Sequence, residues 1–141
     1  MACMKPGRPG RFFYHARVHR RRKGERPSLS EAVYANLITA AHHALGAPVS
    51  VVWDNLNTHR SARMRAFAEA RSDWLTVIRL PGYALDLNAV EGTWSVMKSG
   101  LGNHAATTLG ELEAIVRTRL RGIQRRPDLI NALIGPMPLT L

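Results

Sequence analysis

A single cysteine, Cys3, stands in a chain of 141 residues. An internal disulfide is therefore excluded, and the usage suits a reducing cytoplasm. No apolar stretch approaches the roughly 20 residues that a bilayer-spanning helix needs, so no membrane role is expected. The N-terminus is basic but lacks the apolar core of a secretory signal. Acidic residues are scarce: 10 Asp and Glu stand against 20 Lys and Arg, a formal net charge of +10. Such an excess points to a polyanionic partner, nucleic acid first; an Arg-rich coding bias is the plain alternative. Internal repeats and linkers are also lacking. What is present, 45% apolar residues in a chain of ordinary domain length, is enough to bury a core. One domain over 1–141 is expected, with a basic segment over 1–27.

That segment carries Lys5, Arg8, Arg11, Arg17, Arg20, Arg21, Arg22, Lys23 and Arg26 against Glu25 alone. Aromatic and β-branched residues over 12–18 predict a strand, and 20–24 a basic turn. Ser28 with Glu31 has the capping-box pattern of a helix start. Leu29, Val33, Leu37, Ala41 and Leu45 continue it at helical spacing until Gly46. Residues 49–53 and 74–78 read as short strands suited to burial on both faces. Between them, 61–71 predicts a helix with Met64, Phe67 and Ala68 inward. A further helix is expected from Asn88 to about Leu101, with Val90, Trp94, Met97 and Leu101 on one stripe and Trp94 in the core. Thr108 and Glu111 cap another, with Leu109, Leu112, Val116, Leu120 and Ile123 on its apolar face; 128–134 adds a last short one. Alternating strands and helices argue for parallel strands in a layered α/β sheet. In such sheets ligands gather at the carboxyl ends of strands, where Asp54 sits.

Asp54 closes an apolar strand, and Glu91 opens a helix behind the rigid Leu80-Pro81-Gly82 turn. Two carboxylates at element ends suit one metal ion, for which a third ligand is expected. Before Asp54 there are only Glu25, in the basic loop, and Glu31, at a helix start. Plainer readings exist: an Asp-Asn pair after a strand makes a turn, and Glu91, three residues past Asn88, fits a capping box. Asp86 is a weaker, turn-bound rival. His59 suits substrate contact, tuning of a metal site, or packing. Lys98, seven residues beyond Glu91, lies on the same helix face and suits a DNA phosphate or solvent. His15, His19, His42, His43 and His104 lack zinc-ligand spacing. Arg17, Arg20, Arg21, Arg22, Lys23 and Arg26 suit salt-sensitive phosphate contact. Arg117, Arg119, Arg121, Arg125 and Arg126 form a second basic track.

Val52-Trp53-Asp54-Asn55 with His59, then Leu80-Pro81 through Asn88-Ala89-Val90-Glu91, Trp94 and Lys98, resembles the catalytic half of the DDE transposases. More narrowly it is similar to the mariner-like insertion-sequence transposases of bacteria, a DDE superfamily endonuclease family. The resemblance implies an RNase H-like fold and the cutting and joining of DNA phosphodiesters. It also implies three carboxylates holding two divalent ions, Mg²⁺ or Mn²⁺, about 4 Å apart, to activate the attacking oxygen and stabilise the leaving one. Asp54 matches the second carboxylate and Glu91 the third, with 36 residues between them. Asn55 and His59 match the family's Asn and His. The implied setting is the bacterial cytoplasm, at the nucleoid.

The chain departs from that pattern in two ways. The first carboxylate and its strand have no counterpart, which implies a C-terminal portion of a split, truncated or frameshifted transposase whose sheet lacks its first strand or strands. Leu85 and Ala89 also stand where the family turn has prolines, which loosens the loop that aims Glu91. Expected partners are DNA and a second copy or a separately encoded N-terminal piece, paired through the exposed sheet edge. Two readings follow: a transposase-type nuclease domain that needs a supplied carboxylate, or a catalytically dead, nucleic-acid-binding remnant that pairs with or inhibits an intact transposase. A third, a basic structural protein packed on RNA, leaves the Asp54 and Glu91 motifs unused.

Overall fold

The computed structural model describes residues 1–5, 7–20, 22–25, 28–81, 89–99, 101 and 106–134. Its elements run β1 (Ala2–Lys5), β2 (Arg8–Phe12), α1 (Glu31–Leu45), β3 (Val49–Trp53), α2 (Ala62–Glu69), β4 (Leu75–Arg79), α3 (Ala89–Ser99), α4 (Leu109–Gln124) and α5 (Pro127–Ile134). They divide into two compact units, Arg17–Asn88, and Met1–Ala16 with Ala89–Leu141. The architecture is mixed α/β: one small parallel sheet and one small antiparallel sheet, each flanked by helices. Arg21, Arg26, Gly82, Leu85, Asp86, Asn88 and His104, and the side chains of Ala89 and Val90, lie outside the described residues, so the expectations placed on them do too. Among the described residues no helix is long and apolar enough to cross a membrane.

In the 17–88 unit, β3 and β4 pair in parallel from Val49↔Leu75 to Trp53↔Arg79, with α2 in the crossover between them. Parallel neighbours need such a crossover, which brings both carboxyl ends to one edge. Burial on β3 alternates: Val49, Val51 and Trp53 are buried while Ser50 is exposed, so one face of the strand is sealed and not both as expected. Ser61 caps α2, its hydroxyl accepting from the Met64 N–H at 3.2 Å, and Met64 is buried at 1% exposure. α1 begins two residues later than the Ser28 signal suggested. Ser30, rather than Ser28, is the N-cap with extended backbone, and it makes no side-chain cap bond. Gly46 ends α1 as expected, with φ 55°, a left-handed value that a side chain disfavours.

In the other unit, β1 and β2 form an antiparallel hairpin with Ala2 opposite Phe12 and Cys3 opposite Arg11. The strand expected over 12–18 is thus misplaced: β2 ends at Phe12, and the main chains of Met1 and Phe13 exchange the last two bonds. Beyond them no described strand lies alongside, and a strand needs a partner more than it needs aromatic residues. Phe12 joins Met97, Leu120, Ile123, Ile130 and Ile134 in the core. Thr108 and Glu111 form the full capping box at α4. α5 packs on β2, α3 and α4.

Two expected core placements are corrected. Trp94 is 46% exposed, because α3 turns Thr93 and Met97 inward. Met97 is buried as expected, but its row passes through Thr93 and not through Trp94. On α4, Leu109 and Leu112 are exposed at 51% and 41%; only the later part of that stripe, Leu120 and Ile123, is sealed.

Among the described glycines of this unit, Gly10 makes the tightest approach. Its N–H donates to Asn131 Oδ1 at 2.9 Å, and an added Cβ would stand 2.6 Å from that oxygen and 2.8 Å from Cγ2 of Ile130. Ile130 is only 1% exposed and cannot step aside. Gly10→Ala is expected to cost about 2 kcal/mol through overpacking. In Gly92→Ala the new Cβ meets only the tip of Leu133, at 2.8 Å. There the gain of about 1 kcal/mol in helix propensity offsets the shift, for a net change near zero. Parallel thermal melts of the two variants check the contrast.

Candidate functional site

The chain leaving β3 is fixed by short-range bonds. Leu80 N–H donates to the Trp53 carbonyl at 2.7 Å, and Asn55 Nδ2 donates to the Leu80 carbonyl at 3.1 Å. Asn55 thereby ties the residues that follow β3 to those that follow β4. Asp54 stands between these anchors at the carboxyl end of β3, with 34% of its side chain exposed. Its Oδ1 accepts from the Leu56 N–H at 3.2 Å and from His59 Nδ1 at 2.9 Å. The turn reading of Asp54 is therefore real, and it occupies one carboxylate oxygen. No described residue donates to Oδ2.

His59 is held as firmly as a core residue, with 12% of its side chain exposed. Its ring stacks on Trp53 at 4.8 Å with planes 14° apart, and Tyr34 of α1 meets it edge-on at 4.7 Å. Facing a carboxylate, Nδ1 is the nitrogen that carries the proton. Nε2 is buried without a partner among the described residues. Burial, and then the Asp54 charge, push the Tyr34 phenol above its ordinary pKa. Beside the ring opens a cleft of about 400 Å³ lined by Trp53, His59, Arg65, Glu69 and Arg79 among others.

Asp54, Asn55 and His59 thus meet in one cluster. Glu91 and Lys98 belong to the other unit, exposed in the first and last turns of α3. Those placements also complement the helix dipole, negative at the start and positive at the end. Among the described residues, no three His, Cys, Asp or Glu side chains gather where they could hold a metal ion.

The basic positions divide as well. Arg20, Arg22 and Lys23 are exposed, whereas Arg17 is bonded to Glu25 at 3.3 Å. On α4, Arg117 bonds Glu113 and the Ala16 carbonyl, and Arg119 Nε is buried without a described partner. Arg121, Arg125 and Arg126 remain exposed.

Sequence reasoning missed the roles of Trp53 and Tyr34 as the two faces around His59. Tyr34 lies 25 residues from it in sequence, and no local pattern carries that contact. Glu25 was also missed as an organising residue, although Lys23-Gly24-Glu25 is a local turn signal.

A family model described as DDE superfamily endonuclease matches residues 19–113. The matched span contains Asp54, Asn55, His59, Glu91 and Lys98, and the basic loop around Lys23. No curated protein matches the chain.

Proposed function

We propose, since the chain belongs to the DDE superfamily endonucleases, that it is a transposase-type domain of a mariner-like insertion sequence. It binds DNA, and Asp54 and Glu91 are two of the three carboxylates of its cleavage site. The observation that carries this reading is the state of Asp54: at a strand's carboxyl end, with Oδ1 held by Leu56 and His59 and no described donor on Oδ2. A hard divalent cation wants such an oxygen, and a carboxylate whose second oxygen is pinned loses less freedom on binding one. The site therefore fits Mg²⁺ or Mn²⁺ at Asp54, with Glu91 as the proposed companion ligand. When bound, a pair of ions supplies charge stabilisation for the oxygens that attack and leave phosphorus. The chain's own residues do the rest. His59 and Asn55 fix the direction of the Asp54 turn, Lys98 meets a phosphate, and the basic loop binds the DNA backbone.

A specific observation favours the second reading, a DNA-binding remnant that pairs with or inhibits an intact transposase. Two carboxylates of this sequence, Glu25 and Glu31, precede Asp54. Glu25 is committed to its own loop, and Glu31 opens α1. Nicking of supercoiled plasmid in Mg²⁺ or Mn²⁺ distinguishes the two, with DNA affinity measured in parallel. Ion-dependent nicking that disappears in both Asp54→Asn and Glu91→Gln supports the nuclease reading. Salt-sensitive DNA binding with no nicking supports the remnant. A chain that binds no DNA contradicts both.

A further inference from the structure

Glu25 is the one acidic residue among the first 27, and the described bonds of its carboxylate all go to basic residues around it. Oε2 accepts the backbone N–H of Arg20 at 2.8 Å and of Arg22 at 3.2 Å, and Oε1 accepts from Arg17 Nη2 at 3.3 Å. His19 Nε2 stands 4.0 Å away. The Glu25 N–H donates back to the Arg22 carbonyl at 3.0 Å, closing a four-residue turn with Lys23 and Gly24 at its tip. Gly24 has φ 82°, the value that the third position of a type II turn requires. Beyond its chain neighbours, no described atom lies within 4 Å of where a Cβ would stand, and the positive φ is what calls for glycine here.

This arrangement has a consequence for the cations. The carboxylate takes up backbone donors and the Arg17 guanidinium, and leaves the side chains of Arg20, Arg22 and Lys23 exposed with no partner among the described residues. Its partial desolvation raises the Glu25 pKa, but the Arg22 and Arg20 N–H groups, Arg17 and His19 outweigh that and hold it below the ordinary carboxylate value. The loop is therefore ordered around an ionised group. A loop that orders its cations before contact loses less side-chain and backbone entropy when it meets a phosphate row.

We propose that Glu25 is a positioning residue for DNA: by holding Arg17 and the main chain of Arg20 and Arg22, it presents the side chains of Arg20, Arg22 and Lys23 together to the phosphodiester backbone of a duplex. The inference rests on the DNA-binding reading above and deepens it.

The test turns on a sign. Glu25→Gln raises the formal net charge from +10 to +11, so simple Coulomb attraction predicts tighter DNA binding. The positioning role predicts the reverse. Anisotropy of a labelled duplex, titrated in EDTA across a salt series, should show Glu25→Gln weakening binding about threefold or more. The slope of log K against log salt should become shallower by about one phosphate contact, roughly 0.9. Arg22→Ala and Lys23→Ala calibrate the slope lost per contact. Gly24→Ala, which keeps every charge and strains only the turn, should weaken binding in the same direction. Thermal melts of all four variants establish that the fold is retained. Tighter binding by Glu25→Gln with an undiminished slope, or unchanged binding by Gly24→Ala, overturns the inference and leaves the DNA-binding reading standing. A wild-type chain that binds no duplex overturns both.

Discussion

Asp54→Asn is expected to abolish Mg²⁺- or Mn²⁺-dependent nicking of supercoiled DNA while leaving salt-dependent DNA affinity unchanged or slightly raised. The substitution keeps the shape of the side chain, and its amide oxygen still accepts from the Leu56 N–H and from His59 Nδ1, so the turn after β3 persists. What disappears is the negative charge and the oxygen that no described residue engages. Divalent-ion catalysis supplies several kcal/mol of transition-state stabilisation to phosphoryl chemistry. At 1.36 kcal/mol per decade that is a rate loss of about 10³-fold or more. Removing one negative charge beside a DNA path acts the opposite way on affinity, which separates a chemical defect from a binding defect. In a chain that does not nick, the same loss is read as Mn²⁺ binding to wild type and its absence in the variant. Persistent, ion-dependent nicking by Asp54→Asn would place the chemistry elsewhere.

The β3–α2–β4 crossover was legible because each piece carries its own local signal. Two apolar runs are bounded by turn residues, and Ser61 caps the helix between them. The position of Asp54 follows directly from that pattern, since a polar pair that ends an apolar strand falls at its carboxyl end. Helix rotation was less legible. On α3 the buried row passes through Thr93 and Met97, and a threonine gives no hydrophobic signal to set against Trp94. The start of α1 was ambiguous between Ser28 and Ser30, two similar residues two positions apart. The β1–β2 hairpin escaped notice because Ala2–Lys5 has no alternation and no β-branched residue. Its strand character comes from pairing with β2, and pairing is not a local property. The surroundings of His59 were unreadable for the same reason: Tyr34 meets its ring from α1, far away in the chain, and that contact is not a local property.

His59 joins the packing of this unit to the proposed ion site, and three substitutions should separate the two. His59→Ala removes the ring between Trp53 and Tyr34 together with the Nδ1 bond to Asp54. It should lower stability by about 2 kcal/mol, the scale of a large-to-small change in a largely buried site. Mn²⁺ binding should fall about tenfold or more, as when the partner that orients a metal-binding carboxylate is lost. His59→Phe restores an aromatic ring between the same two faces and puts carbon where the unpartnered Nε2 is buried. Most of the stability should return, while ion binding stays low because nothing donates to Oδ1 from that side. His59→Asn does the converse. Its amide nitrogen falls near the place of Nδ1 and can donate to Asp54, so ion binding should recover in part, while the lost ring contacts keep the melting temperature down. Parallel thermal melts and Mn²⁺ titrations of the three variants give the answer. If ion binding merely follows stability across all three, His59 is a packing residue and the orientation of Asp54 comes from the Leu56 N–H alone. If the two properties separate as described, the imidazole holds Asp54 in place for the ion.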